Sequence, residues 1–143
     1  MMSFYKNKSE LYMNTAELLL KSKDGHYVVV PHTAYYSCLL LIEHKCYIID
    51  QKKENDIRTE INGARLASHE GLINYMKNIL AESTKQNAYT DMRDFVSKIA
   101  DLKKLRVKAD YKNENPSYDD SKKSYELAND ILSIITRSNS DFD

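Results

Sequence analysis

Apolar residues recur at helical spacing along most of the chain, and the pattern predicts four long helices plus either one shorter element or a fifth helix. The first runs from about Ser3 to Ser22, with Leu11, Ala16, Leu18, Leu19 and Leu20 set among Lys and Glu. Lys23-Asp24-Gly25-His26 breaks it, and Gly25 suits the left-handed residue that follows a helix end. A second helix is predicted from about Pro31, a residue fitted to the first helical position, to Lys52. Its run from Ala34 to Ile49 is too long for one strand and apolar almost all round. That is expected of the central helix of a bundle, or of one facing both its own core and a second subunit. Val28-Val29-Val30 just before it is β-branched and equally suits a short extended lead-in.

From Glu54 to Ala67 the periodicity weakens around a charged run and Gly63, which predicts a loop or a short exposed helix. Ser68 then caps a third helix with a stripe of Leu72, Ile73, Tyr75, Met76, Ile79 and Leu80, ending near Lys85. Asn87 or Thr90 caps the fourth, which carries Met92, Phe95, Val96, Ile99, Leu102 and Leu105 as far as Tyr111. Asn113-Glu114-Asn115-Pro116 stops it. Ser117 with Asp120 three residues on resembles a capping box and opens a fifth helix with Tyr125, Ala128, Ile131, Leu132 and Ile135. Residues 138–143 form a polar tail expected to fray. The fold expected is all-α, an up-and-down bundle of four to five helices forming one domain over residues 1–143.

Composition narrows the functional classes. The 143 residues include 42% hydrophobic positions, enough for a core, and only three Gly and two Pro, too few for a many-turned β fold. Lys plus Arg and Asp plus Glu balance at 21 each, so attraction to nucleic acid or an anionic surface has to come from a local patch. No phosphate-binding loop, nucleophile elbow or catalytic triad is present, and no cofactor is expected. Cys38 and Cys46 on one helix stand about 12 Å apart in rise, too far to bond, and read as buried thiols in a reducing compartment. The N-terminus turns polar too early for a signal peptide, and no apolar run approaches the ~20 residues of a membrane span. A cytoplasmic protein without a membrane partner is expected.

Candidate chemistry gathers on the fourth helix. Arg106 falls on the helical wheel beside Ile99, Leu102 and Ala109, so its guanidinium points toward protein, and Asp110 follows one turn later on the same side. A carboxylate C-terminal to its cation gains nothing from the helix dipole, so helix stability is a poor reason for Asp110. The pair reads either as a buried structural salt bridge or as part of an RNA-handling site. Lys103, Lys104, Lys108 and Lys112 make the same helix locally basic, and Tyr111, Tyr118 and Tyr125 offer rings on which unpaired bases stack. Basic helix faces are also commonly just solvated. His69 opens the third helix four positions after Arg65, as a capping or packing residue or as a proton carrier. His32 and His44, twelve residues apart on the second helix, are too distant for one metal, and no metal is expected. Tyr35 and Tyr36 read as core or subunit-contact residues.

Several segments in order resemble the HEPN superfamily of small helical bundles found in prokaryotic toxin-antitoxin and defence loci. Ala16-x-x-Leu19-Leu20, Gly25-x-Tyr27 and Ala34-Tyr35-Tyr36-Ser37 look like its first two helices, and Ser68-His69-x-Gly71-Leu72-Ile73 like its middle segment. Leu105-Arg106-Val107-Lys108-Ala109-Asp110-Tyr111 is similar to the subgroup with an Arg-x-x-x-Asp-Tyr signature. The resemblance implies a homodimer, and for active members a metal-independent endoribonuclease with four to six residues between the Arg and a His. Here those positions are Tyr111, Lys112 and Asn113, and a phenol, which holds its proton at neutral pH, replaces an imidazole poorly as general base. The implied function is therefore a non-catalytic module binding RNA or a partner protein, such as a nucleotidyltransferase-type antitoxin. Arg106 contacts phosphate or anchors a cleft, Asp110 orients it, and Tyr111 with Lys108 lines the surface. The alternatives are an endoribonuclease borrowing His69 or Tyr111, and a structural scaffold in which Arg106 and Asp110 form a strut.

Overall fold

A computed structural model of the protein describes residues 3–59 and 68–138. Among them the chain is all-α, with helices α1 (Phe4–Leu20), α2 (Val30–Glu43), α3 (Glu54–Thr59), α4 (Ser68–Glu82), α5 (Ala88–Tyr111) and α6 (Tyr118–Arg137). Five are long; α3 is the short element expected after Glu54. The remainder of that weakly patterned stretch, with Gly63 and Arg65, and the tail from 139 lie outside the described residues, as does the side chain of Ser68.

Local chemistry explains most helix boundaries. The Ser3 hydroxyl accepts from the Lys6 amide at 3.3 Å to open α1, and the Ser117 hydroxyl accepts from the Asp120 amide at 3.0 Å to open α6. Asn87, at φ 71°, precedes α5 without a side-chain cap; an Asn tolerates this left-handed conformation, whereas Thr90 is already helical. Gly25 takes the left-handed conformation, at φ 78°, and starts a 3-10 turn over His26–Val29. The valines before Pro31 are thus turn and helix, not an extended lead-in, because Pro31 sits in the first turn of α2 and draws Val30 into it. At its far end α2 does not continue as α-helix to Lys52. It widens into a π-helical turn over His44–Ile49, which buries His44, Lys45 and Cys46 and lets Lys45 reach Asp50 at 2.8 Å. The second oxygen of Asp50 accepts from the Tyr75 hydroxyl, tying this turn to α4.

The core lies around α2, where Ala34, Tyr35, Cys38, Leu39 and Ile42 are essentially fully buried. Phe95, Ile99 and Leu102 of α5 meet Ala128, Ile131, Ile134 and Ile135 of α6, and Leu72, Met76 and Leu80 close the side contributed by α4. Contacts give the helix directions. Arg137 pairs with Asp91, Lys98 with Asp130 and Lys108 with Asp120, so α5 and α6 are antiparallel. Residues 35 and 36 lie beside residue 69, and residue 50 beside residue 75, so α2 and α4 run the same way and the segment containing α3 is a crossover. Both cysteines are buried and free.

Two expectations about apolar faces change. The inner stripe of α1 is Ser9, Met13 and Ala16, while Leu11 and Leu18 are exposed. Each of these leucines stands two positions from a buried residue, about 200° around the helix, on the opposite face. With Phe4 they form an uncovered line at seven-residue spacing. The apolar α2, in contrast, is covered within this chain, so its composition does not call for a second subunit.

Helices α1 and α2 are joined through small residues. Ser9 Oγ donates to the Ser37 carbonyl and Ser37 Oγ to the Ser9 carbonyl, both at 2.8 Å and both buried. Removing one hydroxyl, as in Ser37→Ala, is expected to cost about 1 kcal/mol, while Ser37→Leu forces the helices apart and costs about 2–3 kcal/mol. Urea unfolding followed by circular dichroism checks both, and equal midpoints for the two variants contradict this packing.

Candidate functional site

Arg106 sits three-quarters of the way along α5 on its inward face, and only 6% of it is exposed. Packing alone does not explain a cation there. The guanidinium carbon lies 4.8 Å from the centroid of the Tyr35 ring, 5.7 Å from that of Tyr36 and 5.6 Å from that of Tyr111. Three aromatic faces thus take the place of water, an arrangement that stabilises a desolvated cation through the ring quadrupoles. Arg106 Nη1 donates to the Tyr111 hydroxyl at 3.3 Å and stands 3.6 Å from Asp110 Oδ2. Burial alone would favour losing the proton, but the hydrogen bond to Tyr111 and the close polar approach of Tyr35 outweigh it, and the side chain's proton is held more tightly than usual. Its Nε and the Tyr35 hydroxyl are buried without a hydrogen bond of regular geometry among the described residues.

The same Asp110 oxygen accepts from Nδ1–H of His32 at 2.8 Å. A carboxylate bonded to one ring nitrogen orients the imidazole and leaves Nε2 free, and the His32 side chain is half exposed. Tyr36 stacks beside His32 with centroids 4.6 Å apart and meets His69 on another side at 5.3 Å, while Tyr35 touches His69 edge-on at 5.8 Å. His69 therefore enters the same cluster from α4. Its pKa is lowered, first by burial and then by the positive charges of Arg106 and Lys103, so the ring is neutral near pH 7. Burial likewise pushes the Tyr35 phenol up, with the guanidinium opposing. Outside this ring, Tyr111 is 72% exposed, and Tyr118, also exposed, packs edge-on against Tyr27 at 5.6 Å.

The residues proposed from sequence divide between two surfaces. Arg106, Asp110, Tyr111 and His69 come together at the start of α2, joined there by His32, Tyr35 and Tyr36. Lys103, Lys104, Lys108 and Lys112 instead line a groove between α4 and α5, with Lys103 bonded to Glu70 and Lys108 3.4 Å from Asp120. Tyr125 packs against the core and offers no free ring. Sequence reasoning set His32 aside once metal binding was excluded. Its partner Asp110 is 78 positions away, and the only usable signal was that a helix starting at Pro31 and one ending near Tyr111 both carry polar residues at their ends. No group of three metal-ligating side chains occurs among the described residues. None of their helices is long and apolar enough to cross a membrane.

Comparison of the chain with protein-family models, with curated proteins and with solved structures found no match.

The position of His69 has a pH consequence with a definite sign. Its folded-state pKa lies below its unfolded value, so the unfolded chain takes up a proton first and acid favours unfolding. Stability is undiminished above the unfolded pKa of about 6.5 and decreases as pH falls through that value and on through the folded one. His44, lowered by burial, acts in the same direction. Urea midpoints are expected to fall between about pH 7.5 and about pH 5, less steeply in His69→Gln, and the His69 ring titration followed by NMR should move upward in Arg106→Gln. An unchanged titration in that variant contradicts the placement of the guanidinium beside His69.

Proposed function

We propose that this protein is an RNA-binding helical module that holds an unpaired stretch of RNA against the aromatic face around Arg106. The observation that supports it best is the buried guanidinium itself. Its nearest carboxylate is 3.6 Å away and is shared with His32, so positive charge stays behind a surface of His32, Tyr36 and Tyr111 rings. Rings backed by positive charge suit flat bases joined by phosphates, and the preference needs no base-specific hydrogen bonds. Arg106 is too enclosed for a direct phosphate contact as its main task; in this reading it anchors the face, Asp110 orients His32, and Tyr111 stacks. The HEPN resemblance supports the same reading and adds the toxin-antitoxin or defence setting. The homodimer it implies would use the exposed Phe4, Leu11 and Leu18 line of α1, and a monomeric mass by light scattering counts against that part.

One observation favours a second reading, a metal-independent endoribonuclease. His69, neutral near pH 7, and His32, oriented by a carboxylate, flank Tyr36 beside a fixed cation, which is the equipment for general acid-base attack on a phosphodiester.

Fluorescence anisotropy with a labelled uridine oligomer in chelator tests both. Saturable binding is expected, weakened about tenfold in Tyr111→Ala and in His32→Ala at little cost in melting temperature, because stacking on one ring is worth about 1–3 kcal/mol. Binding indifferent to both substitutions removes the reading. Intact RNA after prolonged incubation is the expected outcome on a gel, and cleavage that stops in His69→Gln replaces the binding module with the nuclease.

A further inference from the structure

The groove between α4 and α5 is chemically unlike the aromatic face. Its volume is about 610 Å³ and its floor is aliphatic, made by Ile73 of α4 and by Val96, Ile99, Ala100 and Val107 of α5. Val96 is 36% exposed although it belongs to the apolar stripe of α5, so the stripe extends past what the described residues cover. Around the floor stand Lys77, Lys103, Lys104, Lys108 and Lys112 against one carboxylate, Glu70. Glu70 is occupied by Lys103, and among the described residues no carboxylate pairs with Lys77, Lys104 or Lys112. A chain with balanced total charge has therefore placed a predominantly cationic rim around an apolar trough.

Charge and shape choose among occupants. A second copy docking here about a two-fold axis would set lysines against lysines, which opposes association. Single-stranded RNA would meet the lysines but no aromatic ring, since none lines the groove, and so would lose the stacking that gives such binding its strength. A helix with an apolar stripe and acidic flanks satisfies both features at once: the stripe fills the trough and the carboxylates reach the rim. From Val96 to Lys112 the groove follows α5 for about 24 Å, the length of roughly four turns of a partner helix. We infer that the α4–α5 groove docks an acidic amphipathic helix of a partner protein. This goes beyond the RNA reading and does not depend on it, because the two surfaces use different side chains of α5.

A fluorescein-labelled helical peptide of about 18 residues, with leucines at i, i+3, i+4 and i+7 and glutamates beside them, is the probe. Added to the full chain at about 50 mM salt, it is expected to bind saturably in the micromolar range and to weaken at higher salt. Lys77→Glu with Lys104→Glu, and separately Val107→Asp, should each weaken it at least about tenfold, whereas Tyr111→Ala should leave it unchanged. The same peptide with lysines for glutamates should not bind. Lys77 and Lys104 are exposed, and melting curves by circular dichroism confirm that the variants fold; Lys104→Gln provides a milder change. No saturation, binding unaffected by Val107→Asp, or displacement of the peptide by the uridine oligomer overturns the inference. So does self-association of the protein that Val107→Asp abolishes, since a second copy would then be the occupant.

Discussion

A guanidinium taken out of water has to be given something in its place, and the joint between α2 and α5 is built around that requirement. Tyr35, Tyr36 and Tyr111 surround Arg106 with ring faces, and Asp110 stands one helical turn away. None of these replaces hydration completely; the Nε and the Tyr35 hydroxyl remain without regular partners. Replacing such a cation with an apolar side chain of similar volume is often neutral for stability, so a gain in stability is a weak reason for its presence. Its effects on neighbours are a better one. Through Asp110 it is linked to the orientation of His32, and through space it helps keep His69 neutral. One buried charge thus organises two imidazoles and three tyrosines contributed by three helices.

Helix α5 serves two surfaces because it is long and its faces differ. Around Ile99 and Leu102 it is core; beyond them Arg106, Asp110 and Tyr111 turn to α2, while Val96, Ala100, Lys104 and Val107 border α4. The lysines that make this helix look uniformly basic in sequence are sorted by the fold onto the second surface. What looked like one patch is an aromatic face backed by a single enclosed cation and, beside it, an aliphatic trough with a cationic rim. The chemistry suited to each is correspondingly different: flat bases for the first, an acidic amphipathic helix for the second.

Local rules carried the reading of sequence furthest where the deciding interaction was local. The Ser117 cap, Pro31 in the first turn of α2, the stop before Pro116 and the inward direction of Arg106 all depend on residues within a turn or two. The missed features depend on distant ones. Leu11 and Leu18 are as apolar as any core leucine, but α1 turns Ser9 toward α2 because a serine pair allows close approach and satisfies its own hydroxyls. The π-helical turn at His44–Ile49 interrupts an otherwise uniform apolar run, and its Lys45–Asp50–Tyr75 link reaches α4. His32 had no visible partner until the fold brought Asp110 to it across 78 positions, and a distance test for metal binding could not have revealed an imidazole oriented by a carboxylate.

The proposed RNA-binding role places the strand on the ring cluster around Arg106. Carbon-detected or proton-carbon NMR of the histidine and tyrosine rings during titration with an unlabelled uridine oligomer observes that cluster directly. The account predicts saturable shifts of the His32, Tyr36 and Tyr111 ring signals, with Tyr47 and Tyr89 unmoved. Saturation that leaves the three unmoved, with shifts confined to other parts of the chain, would contradict it.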